Sequence, residues 1–203
     1  MNGFSKNVLR AQCDIVGKVV SVVFWCFAAI ALYMLGVTVW MSFQPAGDFT
    51  VQSLRLKNLA DTVSYGFFRS GIYMNYGHVA FSEAGLANAK AVFLLGNWCG
   101  GTAAAFLLGA LWNVRAVFRE IRREGTPFTP RTSRSVFWAG ACILASSLTL
   151  RTVLPILYSA VGLSTGFDNP YNLGELLAGS VVVCLSSVFR YGAALQTESD
   201  ETL

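Results

Sequence analysis

Two stretches of this chain run for more than twenty residues without a charge. Residues 19–40 (VVSVVFWCFAAIALYMLGVTVW) close on a tryptophan, and residues 91–114 are bracketed by Lys90 and Arg115. A bilayer core about 30 Å thick is crossed by about 20 helical residues at about 1.5 Å each. Both stretches therefore read as membrane spans, with Trp40 where an interfacial aromatic belongs. Residues 135–158 and 171–189 hold one ionisable residue each, Arg151 and Glu175, and read as spanning helices as well.

Composition agrees with that reading. The chain is 54% hydrophobic and 13% charged, where a soluble domain carries about 25% charged residues. Mean hydropathy is +0.52. The formal charge of +4 could point to nucleic acid, but the long uncharged runs argue against direct nucleic-acid binding, as they do against a soluble enzyme or a disordered tail. The first span is too long for a signal-peptide core of 7–15 residues and no small-residue cleavage pattern follows it, so it is expected to stay as an anchor.

Ten Lys and Arg residues flank one side of the spans: Lys6, Arg10 and Lys18; Arg115, Arg119, Arg122, Arg123, Arg131 and Arg134; and Arg190. Four flank the other, Arg55, Lys57, Arg69 and Lys90. Cytoplasmic segments carry the excess of basic residues, which puts both termini and the Arg-rich loop in the cytoplasm. The expected architecture is all-α: a four-span transmembrane helical bundle, N-in and C-in. It forms one integral membrane domain over residues 1–203, with an outer loop at 41–90, a basic hairpin at 115–134 and an acidic tail at 190–203.

The outer loop is aromatic and without cysteine. Residues 51–59 alternate as a short strand would, and SYGFFRSGIY has turn and strand character, but about 50 residues without a disulfide build little core. This segment is expected to lean on the membrane surface and the helix ends; the functional alternative is a ligand-sensing cap. Cys26, Cys99, Cys142 and Cys184 fall within spans and Cys13 in the N-terminal segment, with no CxxC spacing, so they read as small hydrophobes and no metal site is expected.

On the basic side the second span is expected to run on as a helix through LWNVRAVFREIRREG. Arg115, Arg119 and Arg122 then recur on one face, with Phe118 and Ile121 on the flank. Gly125 is a natural stop. Thr129 can cap a new helix with Pro130 at its first position, closing a helical hairpin with a basic tip. The tail carries Glu198, Asp200 and Glu201 after one or two further helical turns, and can either pair with the arginines or stay solvated.

Charges inside a span cost free energy. Arg151 lies about 24 Å from the basic face and Glu175 about 22 Å from it, counted at about 1.5 Å per residue. Matching depth on neighbouring helices predicts an ion pair, which Asn97 could join from the second span. The cluster reads either as a structural clamp or as a switch. Gly96 and Gly100 form a GxxxG, a pattern that lets helices approach closely, here within one bundle or across a homodimer. GLSTG at 162–166 has the G-x-S-x-G spacing of serine hydrolases but not its strand-to-helix elbow, and His78 and Asp168 would have to reach Ser164; a flexible connection explains it. No P-loop, dinucleotide fingerprint or HExxH is present, and no catalytic residue or cofactor is expected.

Two phrases, FREIRREGTPFTPR and VFRYGAALQTESDETL, resemble a bacterial family of four-helix inner-membrane proteins filed as a domain of unknown function. Members commonly end in a pattern like FxxGxxLxxExDxTV, from which Glu201-Thr202-Leu203 departs. The resemblance implies a multi-pass protein of the bacterial cytoplasmic membrane. Because such genes often neighbour a small helix-turn-helix regulator, it also implies a membrane partner for a DNA-binding protein. The leading expectation is thus a regulatory or scaffolding membrane protein, docking a cytoplasmic protein through the hairpin arginines and the tail. The competing expectations are anchoring of the same arginines on anionic lipid headgroups, a small transporter or immunity-type protein acting through the outer loop and the Arg151/Glu175/Asn97 cluster, and, third, a membrane-embedded enzyme.

Overall fold

The computed structural model describes residues 3–54, 62–67, 72–77, 89–160 and 173–201; for the strands and for residues 3–13, 173 and 200 it describes the backbone alone. Helix α1 (Gly3–Ser42) is followed by a 3-10 turn, Ala46–Asp48, and strands β1 (Thr50–Leu54), β2 (Thr62–Phe67) and β3 (Ile72–Gly77). Helix α2 (Ala89–Glu124), helix α3 (Pro130–Leu148), a π-helical turn (Thr149–Val153), the short helix α4 (Leu154–Ala160) and helix α5 (Leu173–Glu201) complete the order.

Four helical runs are long and apolar enough to cross a membrane: Asp14–Ser42, Ala89–Glu124, Pro130–Ala160 and Gly174–Ser199. The four expected spans fall inside them, except residues 171–173. Their solvent is written in their exposure. On α1, Val22, Trp25, Ile30, Leu32 and Tyr33 are each at least 60% exposed, a face that would be costly in water and is at home among acyl chains. Helix–helix contacts are correspondingly built from small residues: Thr132, Ser133, Ala139, Gly140, Ser146 and Ser147 are the buried positions of α3, as expected where association depends on close packing.

The π-helical turn has a local cause. Pro155 has no N–H to give the carbonyl four residues back, and its ring crowds that turn. The helix widens instead, and the Leu154 N–H reaches back to the Thr149 carbonyl.

The outer loop adds strands to the all-α plan. β1, β2 and β3 form an antiparallel meander in that order, with Thr50 opposite Gly66 and Leu54 opposite Thr62, then Thr62 opposite Gly77 and Phe67 opposite Ile72. The alternation at 51–59 and the SYGFFRSGIY phrase mark β1 and β2–β3. A meander satisfies its own backbone across the ladder, which a segment too short for its own core requires.

The chain divides into two compact units, residues 1–31, 104–147 and 173–203, and residues 32–103 and 148–172. In the second unit, Met41, Phe49, Ala89, Val92, Phe93 and Tyr158 form a buried cluster edged by Val37, Leu94, Leu95 and Leu154. Phe49 leans on Phe93 at 5.7 Å between ring centres, so the start of the outer segment does rest on the helix ends. Lys90 Nζ donates to the Ser42 and Gln44 carbonyls at 2.9 and 2.6 Å, placing a cation where the α1 dipole ends negative. The Tyr158 hydroxyl donates to the Val92 carbonyl.

In the first unit, α1, α2, α3 and α5 touch in chain order. The Phe24 ring lies 5.6 Å from that of Trp112, tilted by 54°. A Cβ on Gly109 would lie 3.2 Å from Cys142 Sγ, and one on Gly140 would lie 2.8 Å from both Val183 N and Cγ2. Ser133 Oγ donates to the Ser186 carbonyl.

Candidate functional site

The basic hairpin is built by cap chemistry. α2 ends at Gly125, whose φ of 71° is a backbone conformation that suits glycine, and the Gly125 N–H donates to the Ile121 carbonyl at 2.9 Å. Thr129 Oγ1 accepts from the Thr132 N–H at 3.1 Å, a side-chain cap for α3 with Pro130 at the first helical position. Both features follow the sequence expectation.

The turn between them closes on the C-terminal helix. Thr126 Oγ1 accepts from the Phe128 N–H at 3.2 Å and donates to Gln196 Oε1 at 2.9 Å. The Phe128 ring lies 5.9 Å from that of Phe189 and covers Gly192. Hairpin tip and tail are one packed surface. α5 runs unbroken to Glu201, further than the one or two turns read from sequence, and carries Glu198 and Glu201 outward.

The hairpin arginines divide among three openings. Arg115, Arg119 and Arg122 share a cleft of about 90 Å³ with Gly17, Ser21, Trp112 and Ala116. Arg119 also borders a wider opening of about 330 Å³ with Arg131 and Arg134, and Arg134 joins Arg190 at a third of about 370 Å³. Arg123 pairs along the helix with Glu124 at 3.5 Å.

Two of these arginines are fixed by α1. Arg122 Nη1 donates to Asp14 Oδ1 at 2.8 Å, and Lys18 meets the other Asp14 oxygen at 3.2 Å. Asp14 precedes the uncharged run by five residues. The Arg122 hydrogen bond, then Lys18, holds its carboxyl below the usual value of 3.8. The Arg115 guanidinium lies 4.9 Å from the Phe24 ring centre, 5.5 Å from Trp112 and 5.9 Å from Trp25. Such contacts are worth about 0.5–1 kcal/mol each at exposed sites. Arg115 Nη1 is enclosed and has no hydrogen-bond partner.

Of the intramembrane residues, Asn97 and Arg151 belong to the second unit and Glu175 to the first. Arg151 sits on the π-helical turn with Nε enclosed and unpartnered. Asn97 is buried and donates to the Phe93 carbonyl of its own helix at 2.9 Å. Glu175 is exposed in the first turn of α5, where the helix dipole favours a carboxylate. Gly96 is buried; a Cβ on Gly100 would meet nothing within 4 Å. Gly140 and Gly179 make a close helix approach between α3 and α5. Ser164, Asp168 and His78 lie outside the described residues, as does Cys13 beyond its backbone. Among the described residues no three His, Cys, Asp or Glu side chains gather as metal ligands would.

The family model for DUF2975, proteins of unknown function, matches residues 76–203. The chain belongs to the DUF2975 family. The DUF2975 match takes in α2, α3, α5 and both quoted phrases, and so the whole contact between hairpin tip and tail; α1 and most of the sheet precede it. No curated protein and no solved structure matches the chain. Sequence reasoning placed the caps and the arginine face but missed the Thr126–Gln196 and Phe128–Gly192 contacts. The only signal for them was that two family-like phrases, with 56 residues between them, were both distinctive.

Proposed function

We propose that this membrane protein is non-enzymatic and docks a cytoplasmic protein through the hairpin tip and α5. The observation that carries the reading is the packing of the two family-like phrases against each other, through Thr126 and Gln196 and through Phe128 and Gly192. One surface then combines exposed arginines, Arg123, Arg131 and Arg134, with exposed acids, Glu198 and Glu201. Opposite charges on neighbouring elements favour a partner of complementary pattern and fix its register. The basic-side excess supports a cytoplasmic position for this surface, and the family resemblance supports a bacterial inner membrane and, as partner class, a small helix-turn-helix regulator.

Co-expression with the helix-turn-helix protein encoded beside this gene tests it. The full chain should retain that protein through purification, and deletion of residues 196–203 should lose it while the membrane protein still accumulates. Retention by the truncated chain counts against the reading.

One observation favours the transport or immunity reading. Arg151, with its unpartnered Nε, sits on a π-helical turn, a feature frequent at functional positions. If Arg151→Leu abolishes a solute or toxin phenotype that the tail deletion leaves intact, the second reading replaces the first.

A further inference from the structure

The cleft shared by α1 and α2 has a chemistry that the docking surface does not use. Arg115, Arg119 and Arg122 wall one side, and Gly17 and Ser21 the other. At about 90 Å³ it suits a group of a few heavy atoms, since drug-sized ligands take about 300–1,000 Å³.

Its charge is not balanced within the described residues. Asp14 is shared between Arg122 and Lys18, and the described ion pairs give Arg115 and Arg119 no carboxylate. The rings of Phe24, Trp25 and Trp112 surround the Arg115 guanidinium, and its Nη1 lacks an acceptor. A guanidinium with an enclosed, unfilled donor is costly to leave so, and its planar fork matches a phosphate oxyanion.

Position along the helices selects the oxyanion. The uncharged run of α1 begins immediately after Lys18, and that of α2 ends immediately before Arg115. Gly17 and Ser21 on one helix, and Arg115 on the other, therefore mark the level at which both leave the hydrocarbon. Phospholipid phosphates lie at that level, and basic pockets between spanning helices hold such headgroups.

We propose that this cleft binds a phosphoryl group, supplied in the membrane by the headgroup of an anionic phospholipid. Arg115 and Arg119 give the unpaired cationic donors, Ser21 adds a hydroxyl, and the Asp14–Arg122 bridge holds the cleft's far end. The inference is independent of the docking reading: it uses α1, which the tail does not need.

The test uses the full chain in neutral detergent, titrated separately with phosphatidylglycerol and phosphatidylcholine and read by native mass spectrometry. A one-lipid adduct should form with phosphatidylglycerol in preference to phosphatidylcholine. Arg119→Gln, an exposed position, should weaken it about fivefold, the equivalent of about 1 kcal/mol per basic residue near the surface. Arg115→Lys keeps the charge, loses the fork and should weaken it as well. Arg190→Gln, which removes one charge from α5, should leave it unchanged. Equal binding of the two lipids overturns the site, and so does equal loss from Arg190→Gln and Arg119→Gln. A last arm titrates inorganic phosphate alone. If phosphate fills the cleft with the same Arg119 dependence while phosphatidylglycerol gains nothing over phosphatidylcholine, the lipid source is overturned.

Discussion

Gly192 on α5 lies under the ring of Phe128 from the hairpin turn: a Cβ built on Gly192 would lie 2.5 Å from Phe128 Cδ1 and 2.8 Å from Cε1. The turn and the tail are in contact because one position has no side chain. Gly192→Val must displace the ring, and overpacking of this kind costs about 1–3 kcal/mol. Phe128→Ala in the same chain removes the clash. Thermal unfolding in detergent should therefore show the double variant closer to the wild type than additive losses allow; strict additivity would mean the two residues do not meet.

The crossing of α3 and α5 makes a second, opposite-signed pair of predictions. A Cβ on Gly140 would lie 3.0 Å from the Gly179 carbonyl oxygen, and one on Gly179 would lie 2.8 Å from Leu144 Cγ. Gly140→Ala should lower the unfolding midpoint, by about 1–3 kcal/mol of stability. On α2, a Cβ on Gly101 would meet nothing within 4 Å, so Gly101→Ala should gain about 0.5–1 kcal/mol from helix propensity. Both values come from the same unfolding measurement, and matching signs would contradict the packing.

Asp14 supplies a pH dependence. Its folded carboxyl titrates below its ordinary value of 3.8, held there by Arg122 and then Lys18. A depressed carboxylate contributes stability above its unfolded value, lost as pH falls through the folded one. The midpoint difference between wild type and Asp14→Asn should accordingly be present at neutral pH and shrink once pH drops below 3.8. A difference that grows on acidification would reverse the sign of the linkage.

What the sequence made legible was local. Gly125 and Thr129 mark the helix ends because a left-handed stop and a side-chain cap need only near neighbours. The spacing of Arg115, Arg119 and Arg122 showed a face. It could not show Gly17 and Ser21 opposite, since period fixes a direction and not a partner. The small-residue motif Gly96/Gly100 lies within one helix, whereas the crossing of α3 and α5 uses one glycine from each, a pairing no single-helix pattern announces. From sequence the tail is expected to hold one or two further helical turns before its acidic residues. It stays helical through Glu201, because the turn gives its preceding residues something to pack against.

Hairpin tip and tail are proposed to form one docking surface for a cytoplasmic protein. A photoreactive residue placed in living cells at Arg123, and separately at Glu198, tests it most directly. The prediction is that both positions cross-link the same helix-turn-helix protein, and that the same probe at Phe43, between α1 and the sheet, does not. Capture of lipid alone at Arg123 and Glu198, or of that protein equally from Phe43, would contradict it.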